Sequence, residues 1–278
     1  MKKTIEANSK MSIFSYLKLI WDYRFFSHSL AIGEIKNKYA KTYTGIFLSL
    51  IQSLIGLAVY WLIFGIAIKI DTGNIPYPVF ALPGIIIWQF FSYLVGTSSG
   101  ALISSEHLIT KLYFPRINLT LAKVFPGLVD LAAGFILFVI LFFIFGLTPN
   151  FGWFYIFPII LVLIISGLAV GLWTSILSLY IRDLSQIIIQ ITNFVIFITP
   201  VFYPGTIVPE NFRFILYINP VAGIIEYSRA ALFCTAIPDN GYLIGFAIVF
   251  ILFISAIFIY KNLEKKITDL LWFSTKKP

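Results

Sequence analysis

The sequence predicts an all-α membrane protein with six transmembrane helices, an N-terminal amphipathic interface helix, and two short re-entrant outer helices between spans five and six. Three observations carry that prediction. Hydrophobic residues make up 59% of 278 positions and charged residues only 12%, with a mean hydropathy of +0.94; a soluble domain carries about twice that charged share. The apolar residues gather into stretches near the roughly 20 residues that a helix needs to cross a hydrocarbon core of about 30 Å. Seventeen of the 20 Lys and Arg residues fall on one side of the arrangement these stretches define. By the positive-inside rule that side, with both termini, is cytoplasmic. Topology thereby accounts for the net charge of +8, and a nucleic-acid partner is not needed to explain it.

The elements follow in order. Residues 1–43 form a cytoplasmic segment without the early apolar run of a cleavable signal peptide. Within it Phe14, Leu17, Ile20, Trp21 and Phe25 recur at three- and four-residue steps, with Lys18, Asp22 and Arg24 between them. That is the pattern of an amphipathic helix lying in the membrane interface or packed on a partner protein. Residues 44–260 hold the spans, placed at 44–68, 79–104, 119–145, 153–180, 187–203 and 242–260. Lys69 and Asp71 stop the first, GLTPNFG turns the chain after the third, and IRDLSQ breaks the fourth from the fifth. The connection 204–241 contains FRFILYINPVAGIIEYSRAALF, too apolar to float in water, with Asn219-Pro220 as a turn signal between two helical pieces. Backbone that dips into the outer leaflet and returns must be covered by protein or a water-filled cavity. Residues 261–278 form a charged cytoplasmic tail.

Little in the chain suits catalysis. There is no G-x-x-x-x-G-K-[ST] stretch to cradle a nucleotide phosphate. The two histidines, His28 and His107, are too few and too far apart for a metal centre, and the single cysteine, Cys234, permits no intrachain disulfide. Among ionisable residues inside spans Asp130 stands out. A charge at mid-membrane costs about 2.5–3.5 kcal/mol, so Asp130 faces protein or water, with Lys123 seven positions earlier on nearly the same face. A channel-lining polar site and a structural bond between helices both satisfy that requirement. Trp61, Trp88, Phe90, Phe91, Tyr93, Trp153, Phe154 and Tyr155 fall mostly near span ends, where aromatic belts are the default. Trp88, Phe90, Phe91 and Tyr93 lie within a span and are candidates to line a conduit, since aromatic planes suit the C–H faces of sugars. The pairs Gly96–Gly100, Gly167–Gly171 and Gly241–Gly245 have the spacing that lets helices approach, within one subunit or between two.

Six stretches in a fixed order carry a resemblance over nearly the whole chain: KYAKTYTGIF, FALPGIIIWQFFS, LITKLYFPR, YIRDLSQII, ITPVFYP and INPVAGIIEYSRAAL. Together they resemble the ABC-2-type permeases that export lipid-linked O-antigen, capsule or teichoic-acid chains across the bacterial inner membrane. One departure is FLSLIQSLIG, with Leu48 and Ser53 in a region where the family usually has a tryptophan and a proline. The resemblance implies two copies forming a channel for a lipid-linked glycan. It also implies two separate ATPase subunits beneath, which hold the ATP and Mg, so that this chain carries no cofactor and is no enzyme.

It further implies a coupling element in EHLITKLYFPR, where His107, Leu108, Lys111, Leu112, Tyr113, Phe114 and Arg116 would meet the ATPase together with Arg182 and Asp183. HLITKLYF is expected to make two helical turns with Leu108, Leu112 and Tyr113 on one partly apolar face. Pro115 ends the helix, and Arg116 anchors the next span at the headgroups. A plain charged turn holding topology is the simpler alternative. Asn219, Pro220, Glu226 and Arg229 would build an outer gate, with Glu226 and Arg229 side by side on a helix. Export of a small drug or lipid is a rival within the same superfamily. An ion-coupled secondary transporter would show more buried charge and an internal repeat. A membrane glycosyltransferase would show acidic pairs.

Overall fold

The computed structural model describes residues 12–39, 45–181, 183–264 and 266–267, and every regular element among them is helical. Two helices, α1 (Ile13–Asp22) and α2 (Arg24–Tyr39), precede the first apolar helix. Ser12 caps α1 by accepting the N–H of Ser15, as expected of a serine just ahead of a helix. The predicted interface helix is therefore two helices, broken at Tyr23. Phe14, Leu17, Trp21 and Phe25 make an exposed stripe, with Tyr16 buried on the other side of α1.

Helix α3 (Gly45–Tyr60) continues as a π-helix, Trp61–Ala67. Then come α4 (Tyr77–Ser99), α5 (Ala101–Ser104), α6 (Glu106–Lys111), α7 (Ile117–Ala122) and α8 (Val124–Ile144). A 3-10 turn at Phe151–Tyr155 leads into α9 (Ile156–Ser178), followed by α10 (Leu184–Ile198). Two short helices, α11 (Arg213–Ile218) and α12 (Pro220–Phe233), precede α13 (Leu243–Leu263).

Among the described residues four helical segments are long and apolar enough to cross a membrane: Tyr77–Ser99, Ile117–Ile144, Phe151–Ser178 and Asn240–Leu263. They coincide with predicted spans two, three, four and six. Two shorter apolar helices, Ser53–Ala67 and Leu184–Ile198, stand in the places of spans one and five. The 15 residues of α10 measure about 22 Å at 1.5 Å per residue, short of the usual hydrocarbon thickness.

Helix α4 is the axis of the subunit. It packs on α9, α8, α3, α10 and α12, and its side chains are buried nearly all round. In lipid, apolar burial between helices gains close packing but no hydrophobic drive, so small residues matter at the contacts. Gly167 and Gly171 of α9 show this: a Cβ added there would sit 2.7 Å from Leu94 and 2.6 Å from Ser98 of α4. That glycine pair thus serves packing inside one subunit. Gly241 faces the ring of Tyr217, and Gly245 the backbone at Tyr217 and Pro220, again inside the chain.

The central position of α4 bears on the aromatic candidates. Trp88, Phe90 and Phe91 are buried in the subunit's own core. Their large rings fill the space around the most enclosed helix, which is where aromatic residues contribute most contact area. A second core, at the end of the bundle nearest α1, joins Tyr16, Leu102, Ile109, Phe114, Leu172, Ile176, Ala256 and Tyr260. It binds α1, the α5–α7 region, α9 and α13 together.

Candidate functional site

The stretch between α5 and α8 folds as a hairpin with an exposed rim and a buried base. Helix α6 makes one and a half turns and stops at Lys111, and Leu112 is extended at φ −128 and ψ 141. The expected helix through Phe114 does not form. Pro115 disfavours helical backbone at Phe114, and Phe114 is drawn inward against the ring of Phe26, 4.6 Å between centroids. His107, Leu108, Lys111, Leu112 and Tyr113 are exposed, whereas Ile109, Phe114 and Arg116 are buried.

Arg116 does not reach the headgroups: it is 6% exposed. Its Nη1 lies 2.9 Å from Oε1 of Glu264, and its backbone N–H donates to the same oxygen at 3.0 Å. The Tyr16 hydroxyl donates to the other carboxylate oxygen at 2.8 Å. A guanidinium without a carboxylate partner would be costly in that core, and the only compensation within reach is internal. Burial, and then the charge of Glu264, push the Tyr16 hydroxyl far above the ordinary phenol range, so it remains a donor. The Arg116 guanidinium also lies 5.2 Å from the ring centroid of exposed Tyr113. Asp183 is exposed at the head of α10, with no hydrogen bond or ion pair among the described residues joining its side chain to the hairpin. Arg182 lies outside the described residues.

Helix α2 is stitched to α7 and α8 by two ion pairs in register. Glu34 meets Lys123 at 2.6 Å, and four residues on Lys38 pairs with Asp130. Tyr39 donates to Asp130 at 2.7 Å, and Lys38 stands 3.8 Å from the centroid of Tyr93. Asp130 and Lys123 are therefore matched by the N-terminal segment and not by each other. The bonds satisfy Asp130 as an interhelix tie.

At the opposite end Arg229 of α12 is buried against the turn after α10. Its Nη1 donates to the carbonyls of Pro200 (2.7 Å) and Tyr203 (3.2 Å) and pairs with Glu226 at 3.0 Å, while Nη2 donates to Val201 (2.7 Å). Glu226 also accepts the N–H of Gly205. Gly84 of α4 leaves room for this turn, since a Cβ there would sit 2.8 Å from the Val201 carbonyl. Asn219 caps α12 by accepting from Val221 and donates to Thr199 at 2.8 Å, with Pro220 in the first turn, where its missing N–H costs nothing. The four predicted outer residues thus converge on one clamp.

Two polar stripes run along otherwise apolar helices. On α10, Gln186, Gln190 and Asn193 are exposed at steps of four and three, opposite the inward residues Ile188 and Thr192. On α4, Gln89 is the one exposed residue; it accepts from Ser53 at 2.8 Å, and Ser92, Tyr93, Gly96 and Thr97 continue its half-open face. That face meets α10 at Gly96, where Ile189 stands 3.4 Å from an added Cβ.

The profile of the ABC-2 type transporter family matches residues 28–233, well over half of the 278 residues. This chain belongs to the ABC-2 type transporter family. The match takes in the hairpin, both polar stripes and the outer clamp. The ABC-2 chain is similar to two O-antigen export system permease proteins RfbA of Klebsiella pneumoniae. One is 27% identical over 193 residues, covering 69% of this chain and 74% of the relative. The other is 25% identical over 240 residues, covering 86% and 92%. A third RfbA, of Myxococcus xanthus, is 26% identical over 234 residues, covering 83% and 88%.

ABC-2 chains are transmembrane subunits that work with ATP-binding-cassette ATPase subunits, and this one is a multi-pass membrane protein. Within the ABC-2 chain the fold separates the predicted coupling residues. His107, Leu108, Lys111, Leu112 and Tyr113 form an accessible surface, whereas Phe114 and Arg116 hold it in place. Sequence reasoning missed Glu264, which looks like one more charge of the tail, and missed the α10 stripe, whose four-and-three spacing was legible in QIIIQITN.

Proposed function

We propose that this chain is the permease subunit of an ATP-driven exporter that moves a lipid-linked polysaccharide out of the cytoplasm across a bacterial inner membrane. It acts as a pair of copies, each with six spans and both termini cytoplasmic. Two ATPase subunits bind ATP and Mg beneath. The observation that carries the reading is the exposed polar stripe of α10, flanked by the open polar face of α4. Gln186, Gln190 and Asn193 on a lipid-facing surface would leave amides without partners. Facing the second copy across a hydrated path, they offer donors and acceptors to sugar hydroxyls. The names of the similar RfbA proteins point to the same class of cargo.

The hairpin rim of Leu108, Leu112 and Tyr113 supplies a part-apolar docking face for the ATPase. At the outer end α11 and α12 dip into the leaflet, and the clamp of Asn219, Pro220, Glu226 and Arg229 forms a fixed frame for the gate. Export of small drugs or lipids needs no such long polar face, and the few buried charges are tied in pairs that leave no relay for an ion-coupled carrier.

The test is removal of the chain from cells that make the polymer, with co-purification of its ATPase. Polymer should accumulate in the cytoplasm on its lipid carrier, and a P-loop ATPase should travel with the tagged permease. Export that persists on an ion gradient, with no ATPase bound, would overturn the proposal.

A further inference from the structure

The hairpin is joined by sequence to α4 on one side and α8 on the other. No covalent path of similar length leads from it to the end of α13, where Glu264 lies 148 residues after Arg116. Glu264 closes that gap. One of its oxygens accepts both Nη1 and the backbone N–H of Arg116, and the other accepts the Tyr16 hydroxyl. Because a main-chain N–H is among the donors, the carboxylate grips the hairpin's backbone and not only a flexible side chain. The site is nearly closed to solvent, Glu264 being 7% exposed, and charged hydrogen bonds in such surroundings are strong. One turn back on α13, Tyr260 hydrogen-bonds Ser175 of α9. Farther along, Trp173 of α9 donates to the Leu252 carbonyl at 3.1 Å. The inner end of α13 is thus pinned to the hairpin and α1 on one side and to α9 on the other.

We propose that Glu264 is a positioning residue for energy transfer, delivering displacement of the hairpin to α13 in addition to the spans that the hairpin joins by sequence. Tyr113, exposed on the rim and 5.2 Å from the Arg116 guanidinium, is where the push enters. The inference rests on the hairpin being the ATPase docking element.

The experiment uses the full complex with its ATPase in liposomes, in a Cys234→Ser background. Spin labels are placed on both copies at Ile254 of α13 or at Ile140 of α8, both exposed positions, and distances are read with and without ATP. In the parent complex both pairs should shift on ATP. Glu264→Gln leaves a buried guanidinium without its charge partner and is prone to misfold. The main variant is therefore Arg116→Met with Glu264→Met on a Tyr16→Phe background, which removes the tie, keeps the site filled and leaves no buried side-chain donor of the triad without its acceptor. It should lose the α13 shift and keep the α8 shift. An α13 shift that survives in this variant overturns the inference, as does loss of both shifts, which would mark the pair as part of docking itself. Leu112→Glu with Tyr113→Glu separates the two ideas. If that variant leaves both shifts intact, the docking assignment fails. If it abolishes both while the Met pair changes neither, only the role of Glu264 fails.

Discussion

At the residue scale each buried charge among the described residues stands against a named partner, and this sets what single substitutions do. Arg229 makes three carbonyl contacts and one carboxylate contact. Lysine offers a point charge where this site needs a planar fork. Arg229→Lys should therefore fail nearly as badly as Arg229→Met, each costing about 3–5 kcal/mol, read as a lower unfolding temperature of the detergent-solubilised protein. Asp130 is only partly buried, and its tie to Lys38 is correspondingly weaker. Asp130→Asn should cost on the order of 1 kcal/mol, with a double-mutant cycle against Lys38→Met showing a coupling of similar size. No coupling would mean that the ion pair contributes nothing beyond packing. Neither partner of these residues could be read from sequence, since Lys38 and Asp130 lie 92 positions apart and Arg116 and Glu264 lie 148 apart. Only Glu226 and Arg229, three apart on one helix, were legible as a pair.

At the scale of elements, the apolar runs located the spans because length and hydropathy are local properties. Which side of each helix meets protein was not local. Trp88 and Gln89 are neighbours in sequence, yet one is core and the other is the single exposed position of α4. The hairpin shows the same limit: its rim was legible as an apolar face, but its helix was drawn too long because the pull of Phe114 into a distant core was invisible. Leu112→Glu with Tyr113→Glu should lower export about 10-fold or more by removing apolar anchors from the proposed docking face, while the amount of inserted protein stays unchanged; immunoblots against surface polymer and against the tagged permease in membranes check the two. Replacing Gln186, Gln190 and Asn193 together by Leu should leave the fold intact, because the stripe faces away from the subunit. Polymer export should then fall several-fold as the polar contacts of the path disappear. Unchanged export would place the path elsewhere.

At the scale of the molecule, three layers divide the labour: a core around Tyr260 at one end, a central core around α4 and a clamp around Arg229 at the opposite end. Cysteines introduced at Gln190 in the Cys234→Ser protein should cross-link two copies in membranes, whereas cysteines at Ile136, on an exposed face of α8, should not. The core around Tyr260 also has a consequence for synthesis. Tyr16, Arg116 and Glu264 lie far apart in sequence, so the joint cannot close until α13 and Glu264 have left the ribosome. Until then the Arg116 guanidinium and the Tyr16 hydroxyl lack the Glu264 carboxylate that both meet in the folded subunit. Glu264 therefore also ties the closing of this core to the synthesis of α13, and a chain that stops short of it differs chemically from one in which the joint has closed.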